Sequence, residues 1–144
     1  MNKTLLAVLA ALAVAGGAYF LLRPPDTDRA SAPPPPEGAP LVAVTLPDAH
    51  SDAARRGKTV FEAVCADCHG TNAAGKMGFG PPLVHRIYEP GHHGDMAFVL
   101  AVQNGVPAHH WPFGAMPPQA GLTRAEVIDI TTYVRELQRT NGIN

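Results

Sequence analysis

The chain has 144 residues and a formal net charge of −1, from eleven Lys/Arg against twelve Asp/Glu. That length allows one ordinary domain and little more. Residues 41–144 hold eight basic and nine acidic residues with no basic stripe, which excludes the electrostatic footprint of a nucleic-acid binder and leaves only weak steering by net charge.

Lys3 is followed by an uncharged apolar run from Leu5 to Leu22, closed by Arg23 and Pro24. A secretory signal has a positive start, an apolar stretch of about 7–15 residues and a small-residue cleavage site. Ala13-Val14-Ala15 before Gly16 is the candidate for that site. A membrane-spanning helix needs about 17–25 apolar residues. The run continues through Ala18-Tyr19-Phe20-Leu21-Leu22, where a cleaved signal turns polar. Residues 1–23 are therefore expected to form an N-terminal transmembrane helix, with a cleaved signal as the alternative.

Residues 24–40 contain Pro24-Pro25 and Pro33-Pro34-Pro35-Pro36 and no apolar periodicity. This composition predicts an extended Pro-rich linker, spanning about 3.1 Å per residue. The domain proper is expected over 41–144. Leu41 to Leu46 alternates apolar residues between Pro40 and Pro47 and is read as an extended lead-in that packs on the domain.

Ser51 is the expected N-cap of a helix from Asp52 to about Ala66, with Asp52 near the positive end of its dipole. Val60, Phe61 and Val64 give it one apolar face, and Gly57 lies one turn before Phe61. A helix glycine costs about 1 kcal/mol against alanine, which is tolerable where a second helix must pass close by.

Cys65-Ala66-Asp67-Cys68-His69 follows, and the chain has no other cysteine. Each thiol of such a pair can add across one vinyl group of a haem, and a histidine directly after the second cysteine then lies under the iron; this is the c-type attachment signature. A thioredoxin-like CxxC needs a βαβ context, which is absent. A closed zinc site needs four ligands, so the two cysteines would have to recruit the spare histidines. Thioether attachment is made outside the reducing cytosol, so the haem domain is expected in the periplasm, with the N-terminus cytoplasmic.

Gly70 to Gly80 is glycine-rich and irregular, and Gly80-Pro81-Pro82-Leu83 follows it. An axial histidine gives its second ring N–H to an acceptor, and the Pro81 carbonyl is the candidate. Asp95 is the expected cap of a helix from Met96 to about Gln103, with the stripe Phe98, Val99 and Val102, and Gly105 after its end. Pro107 to Gly121 is a long loop that carries His109-His110-Trp111 and Met116-Pro117-Pro118. The last helix opens on a capping box, Thr123 with Glu126. It then places Val127, Ile130, Val134 and Leu137 at helical spacing beside Tyr133, and Gly142 marks its stop.

The iron's second axial ligand has three methionine candidates, Met77, Met96 and Met116, and several histidines. Met116 is preferred: two prolines stiffen the backbone after it, and about fifty residues separate it from the haem motif, enough to wrap to the opposite face.

The layout resembles the class I cytochrome c family. The resemblance rests on Gly57 and Phe61, Cys65–His69, Gly80-Pro81-Pro82-Leu83, Met116-Pro117-Pro118 and Tyr133, and covers about residues 50–140. It implies an all-α domain wrapped around one covalent haem c, with thioethers at Cys65 and Cys68, iron ligated by His69 and Met116, and Pro81 supporting His69. It also implies an electron-transfer protein rather than an enzyme. The expected partners are a quinol-oxidising complex, a terminal oxidase or a reductase, met through the membrane tether. The alternative is a haem enzyme or gas sensor whose sixth position is open or filled by histidine. The pairs His92-His93 and His109-His110 fall outside the family pattern. Together with His50 and His85 they are candidates for a second metal such as copper or zinc, against the simpler reading that they cap loops, meet haem carboxylates or face solvent.

Overall fold

The architecture comes from a computed structural model that describes residues 2–22 and 33–144. The described chain divides into two units, one ending at Pro34 and one running from Pro35 to Asn144. The first contains helix α1, Lys3–Leu22. Its described side chains, Leu12, Tyr19 and Leu22 among them, are exposed. Among the described residues no helix is long and apolar enough to cross a membrane, and the side chains of residues 3, 4, 6, 7 and 10 within α1 lie outside that description. The expected transmembrane helix is therefore not established by the described residues. Most of the predicted linker, residues 24–32, lies outside them as well.

The second unit is helical, with no strand among the described residues. Helix α2, Asp52–Val64, starts where the Ser51 hydroxyl accepts the Ala54 N–H at 3.2 Å. The helix expected to run through Ala66 ends at Val64, because the chain turns at Cys65 and begins a new short helix, α3, Ala66–His69. Helix α4, Asp95–Asn104, is preceded by Gly94 rather than capped by Asp95. The Asp95 carboxylate instead accepts from Arg135 Nε at 2.8 Å, a charged donor that outcompetes a local cap. Helix α5, Arg124–Thr140, opens on the complete Thr123–Glu126 capping box.

Helices α2 and α5 cross at Gly57. A Cβ placed there would lie 1.9 Å from the Asp129 carbonyl oxygen, so only glycine allows the approach. Beside the crossing, Phe61, Tyr133, Val134 and Leu137 are fully buried. The Phe61 and Tyr133 rings meet at 5.6 Å, within the range of favourable aromatic pairs. Burying a side chain such as Phe61 contributes about 1.5–3 kcal/mol. The lead-in is extended: Leu41 and Val42 both donate to the Ala74 carbonyl at 3.1 Å. Thr45 exchanges hydrogen bonds with the Asn141 side chain at 2.9 and 2.8 Å. The unit begins before residue 41, since Gly38 and Ala39 pair with the Met77 backbone at 2.9 Å each.

Between α3 and α4 the chain has 3₁₀ turns at Thr71–Ala73 and Arg86–Tyr88 and is otherwise irregular. It is held to α5 by Arg135, which is buried. The guanidinium donates to Tyr88 O and Gln138 Oε1 at 2.6 Å and to His93 O at 2.5 Å. Gln138 Nε2 donates to Leu83 O at 2.8 Å and Tyr88 O at 3.0 Å. The Phe98 ring lies 5.0 Å from the guanidinium carbon. Two side chains of one helix thus anchor a segment that has little secondary structure of its own.

Candidate functional site

The end of α2 and the short α3 deliver Cys65, Cys68 and His69 to one cleft of about 520 Å³. The His69 ring donates from Nδ1 to the Pro81 carbonyl at 2.9 Å. That bond fixes the tautomer and leaves Nε2 with its lone pair free, the arrangement found in metal-bound imidazoles. Burial holds the His69 pKa below its ordinary value, with the Pro81 bond pulling the other way, so the ring is kept in its neutral, ligating form. The Cys65 thiol is pushed up to about 11, by burial first and by Cys68 second. A dithiol redox centre needs the opposite shift, so the pair is poorly suited to thiol–disulfide exchange.

The wall facing these residues belongs to the 105–119 loop. Met116 and Val106 exchange backbone hydrogen bonds at 2.9 Å. Gly105, at φ 72°, closes against this pair, and a Cβ there would lie 2.6 Å from the Met116 carbonyl oxygen. Gln119 N donates to Val102 O at 2.8 Å, so the loop is tied back to the end of α4 at Met116 and again three residues after it. Met116 lines the cleft, and neither Met77 nor Met96 does. Met96 is half exposed, with its sulfur 3.7 Å from Arg124.

The residues present fit a large apolar cofactor. Phe61, Leu83, Phe98, Val102, Val106 and Ile130 form the lining, and the volume lies in the range of cofactor sites. Trp111 supplies a second indication. Its Nε1 is buried with no hydrogen-bond partner, which costs about 1–3 kcal/mol unless an acceptor arrives. The Tyr88 phenol is close enough to feel the indole, which offsets part of the upward push of burial on its pKa, yet the two groups do not reach hydrogen-bond geometry. A buried donor without a protein acceptor suits a ligand that brings its own carboxylates, as a haem does.

The structure brings together Cys65, Cys68, His69, Pro81 and Met116 around this cleft. It separates the histidines into two sets. His92, His93 and His110 gather, with His109 beside them at 4.2 Å from His110, ring to ring. His50 is elsewhere, bonded to Glu136 at 2.9 Å. His85 accepts the Ile87 N–H at 3.2 Å and meets the Trp111 ring edge-on. Tyr88, Arg135 and Gln138 position the cleft and are not singled out by motif or periodicity. The available signal is that Arg135 and Gln138 follow Thr131 at four and seven residues, on a face that the apolar stripe of α5 does not account for.

Residues 54–138, over half of the chain, match the family described as Cytochrome c. The chain is also 37% identical over 92 residues to the cbb3-type cytochrome c oxidase subunit CcoP of Azospirillum brasilense. That match covers 59% of this chain and 28% of that subunit, so the chain spans less than a third of its relative's length. The resemblance carried by the motifs is therefore a family relationship: the chain belongs to the cytochrome c family, and its cofactor is covalently bound haem c.

Proposed function

We propose that the protein is a one-electron carrier whose haem is attached through Cys65 and Cys68 and ligated by His69 and Met116. The observation that carries this reading is the pairing of a carbonyl-oriented His69 with Met116, which lines the same cleft where Met77 and Met96 do not. Haem c supplies an iron that changes by one electron while no substrate bond is made or broken. The chain does the rest. Pro81 orients His69 and raises its basicity. Met116 offers a thioether, which favours the reduced state, and the apolar lining keeps water from the metal. Two protein ligands leave no open position for a substrate.

The proposal extends to location and partner. Helix α1 has 20 residues, about 30 Å at 1.5 Å per residue, and five of its side chains lie outside the described residues, among which no helix is long and apolar enough to cross a membrane. Leu5 to Leu22 carries no charge. We read it as an anchor that holds the head (41–144) in the periplasm, through the Pro-rich linker (24–40), at high local concentration near membrane-bound partners. The oxidase relative favours a terminal oxidase as the acceptor, among the wider set of a quinol-oxidising complex or a reductase.

The test is the oxidised absorption spectrum of the full-length, haem-loaded protein. Wild type and Met77→Ala are expected to show the weak far-red band of a thioether-ligated ferric haem. Met116→Ala is expected to lose it, to bind cyanide faster and to have a lower reduction potential. Persistence of the band in Met116→Ala overturns the ligation. A second reading, a haem enzyme or sensor with histidine or an open position on the far side, draws on His109 and His110 lining the same cleft. It predicts that wild type itself lacks the band.

A further inference from the structure

Electron transfer through the cleft gives no task to the histidines at its rim. The ligand nitrogens of His92, His93 and His110 lie within 4.8 Å of one another. We propose that these three imidazoles bind one borderline divalent transition-metal ion, Zn²⁺ or Cu²⁺, as a second metal site distinct from the haem iron.

Geometry is the first argument. His92 Nε2 and His110 Nε2 are 3.4 Å apart. A tetrahedral ion with metal–nitrogen bonds of about 2.0–2.1 Å has ligand–ligand edges of about 3.3–3.4 Å. As a hydrogen bond the same contact is long, outside the usual range of about 2.7–3.2 Å. The pair is thus spaced as two ligands of one ion are spaced.

Preorganisation is the second. The His93 ring donates from Nδ1 to the Ile87 carbonyl at 2.6 Å, which leaves Nε2 as the free lone pair, in the manner of metal-bound histidines. Its backbone is fixed as well: His92 and His93 both donate to Glu89 O, at 3.0 and 2.8 Å, and the His93 carbonyl accepts from the buried Arg135 at 2.5 Å. His109 flanks the site with its own Nδ1 turned to the Pro107 carbonyl at 2.9 Å. A fourth coordination position is left for water or for His109.

Ligand chemistry is the third. The group is all imidazole, with no carboxylate or thiolate in it. Neutral imidazole suits zinc and copper and not calcium or magnesium, which demand oxygen. The bound ion would join the Glu89–Gly94 turn to the loop that carries Met116, two segments the backbone leaves unlinked at this point.

The experiment uses the full-length, haem-loaded protein prepared without a histidine tag and stripped with chelator. Zn²⁺ alone and Cu²⁺ alone are titrated in separate calorimetric runs. The expected result is one ion per chain for at least one of the two metals. His92→Gln and His110→Gln are each expected to weaken binding by at least about 100-fold, the upper end of what loss of an outer-shell partner costs, while His50→Gln changes nothing. Both substituted side chains are exposed, and an unchanged haem spectrum confirms that the variants fold. A thermal midpoint that rises with metal in wild type and not in His92→Gln is the second readout. The proposal is overturned by the absence of a saturable one-to-one phase, or by affinity that survives in the His92→Gln/His110→Gln double variant. It is also overturned if His110→Gln alters the haem iron's ligand spectrum, because His110 would then serve the iron. Failure of the Met116 ligation through an open sixth position leaves the metal titrations untouched, and its failure through His110 shows in the haem spectrum of His110→Gln, so the two readings are separable.

Discussion

The two walls of the cleft are built by different means. The wall that carries Cys65, Cys68 and His69 hangs on the crossing of α2 and α5, where backbone meets backbone at Gly57 and the Phe61 ring packs at a tilt against Tyr133. The wall that carries Met116, with the neighbouring segment from Leu83 to His93, has almost no regular structure. It is held by the Val106–Met116 pair and by the contacts of Arg135 and Gln138. The first depends on an apolar interface shared among several fully buried side chains. The second depends on a few polar contacts that can be removed one at a time. On the ligation proposed above, one axial ligand is fixed with the covalent attachment and the other lies on a segment whose stability can be set separately.

Gly57→Ala is the strongest way to break the first wall. The collision is with the backbone at Asp129, which cannot rotate away. Overpacking costs typically about 1–3 kcal/mol and more where nothing can yield, so a loss above about 3 kcal/mol is expected in denaturant unfolding. A loss below about 1 kcal/mol would mean that the helices separate freely and the crossing is not the frame.

Arg135→Met is the next largest and attacks the second wall. It leaves the His93 carbonyl without its donor and removes one of two donors to Tyr88 O. Each buried group left unpaired costs about 1–3 kcal/mol, so a loss of about 2–4 kcal/mol is expected. The discriminating measurement is amide hydrogen exchange: residues 85–94 are expected to lose protection well before residues 54–64. Uniform loss across both segments would show that the walls are one cooperative unit.

The contrast between the walls also explains what could be read from the chain beforehand. The helical wall announces itself through short-range chemistry: the Ser51 cap, the Thr123–Glu126 capping box, the Cys65–His69 pentapeptide and the 3.6-residue spacing from Val127 to Leu137. The Pro81 carbonyl was legible too, because a histidine ligand needs an acceptor and proline leaves its carbonyl free for one. Beyond the Val106–Met116 pair, the irregular wall is specified by contacts between residues distant in the chain, such as Arg135 with Asp95 and His93. Periodicity treats Arg135 as a surface charge, and only tertiary structure reveals that its face is covered. The same distance effect moved Asp95 from an expected cap to an ion-pair partner. It also gathered His92, His93 and His110 from two loops into one cluster.

Tyr133→Phe tests the joint between the walls with a smaller effect. The phenol donates to Asn72 Oδ1 at 3.3 Å, and Asn72 holds a positive φ of 56° just after the haem motif. Losing this long, half-buried bond is expected to cost about 0.5–1.5 kcal/mol. The ring's packing on Phe61 remains, so the cost belongs to the hydroxyl. An unchanged midpoint would assign the Asn72 turn to its backbone bonds alone.

The smallest effect concerns pH and acts only on the helical wall. Glu136 on α5 accepts from His50 Nδ1 at 2.9 Å and from Ser51 N at 3.4 Å, fastening the start of α2. Burial pushes the Glu136 carboxyl upward, but the bonds from Ser51 and His50 outweigh it, and the net position is below the ordinary carboxylate value. The folded protein therefore binds this proton more weakly than the unfolded chain does. The resulting stability is present above the unfolded pKa of about 4.5 and is lost as pH falls through the folded value. Glu136→Gln is expected to flatten the unfolding free energy against pH in that acid window, because the amide keeps an acceptor and carries no titrating proton. The bonds from Arg135 to the Tyr88 and His93 carbonyls have no titrating acceptor, and in an Asp95→Asn background, which removes the one carboxylate that Arg135 meets, the irregular wall should not follow the same curve. Exchange measured on either side of the window separates them: faster exchange near residues 52–56 at the lower pH, with 85–94 unchanged, supports two independently fastened walls. Parallel pH profiles for wild type and Glu136→Gln would show that the His50–Glu136 contact contributes nothing to the fastening of α2.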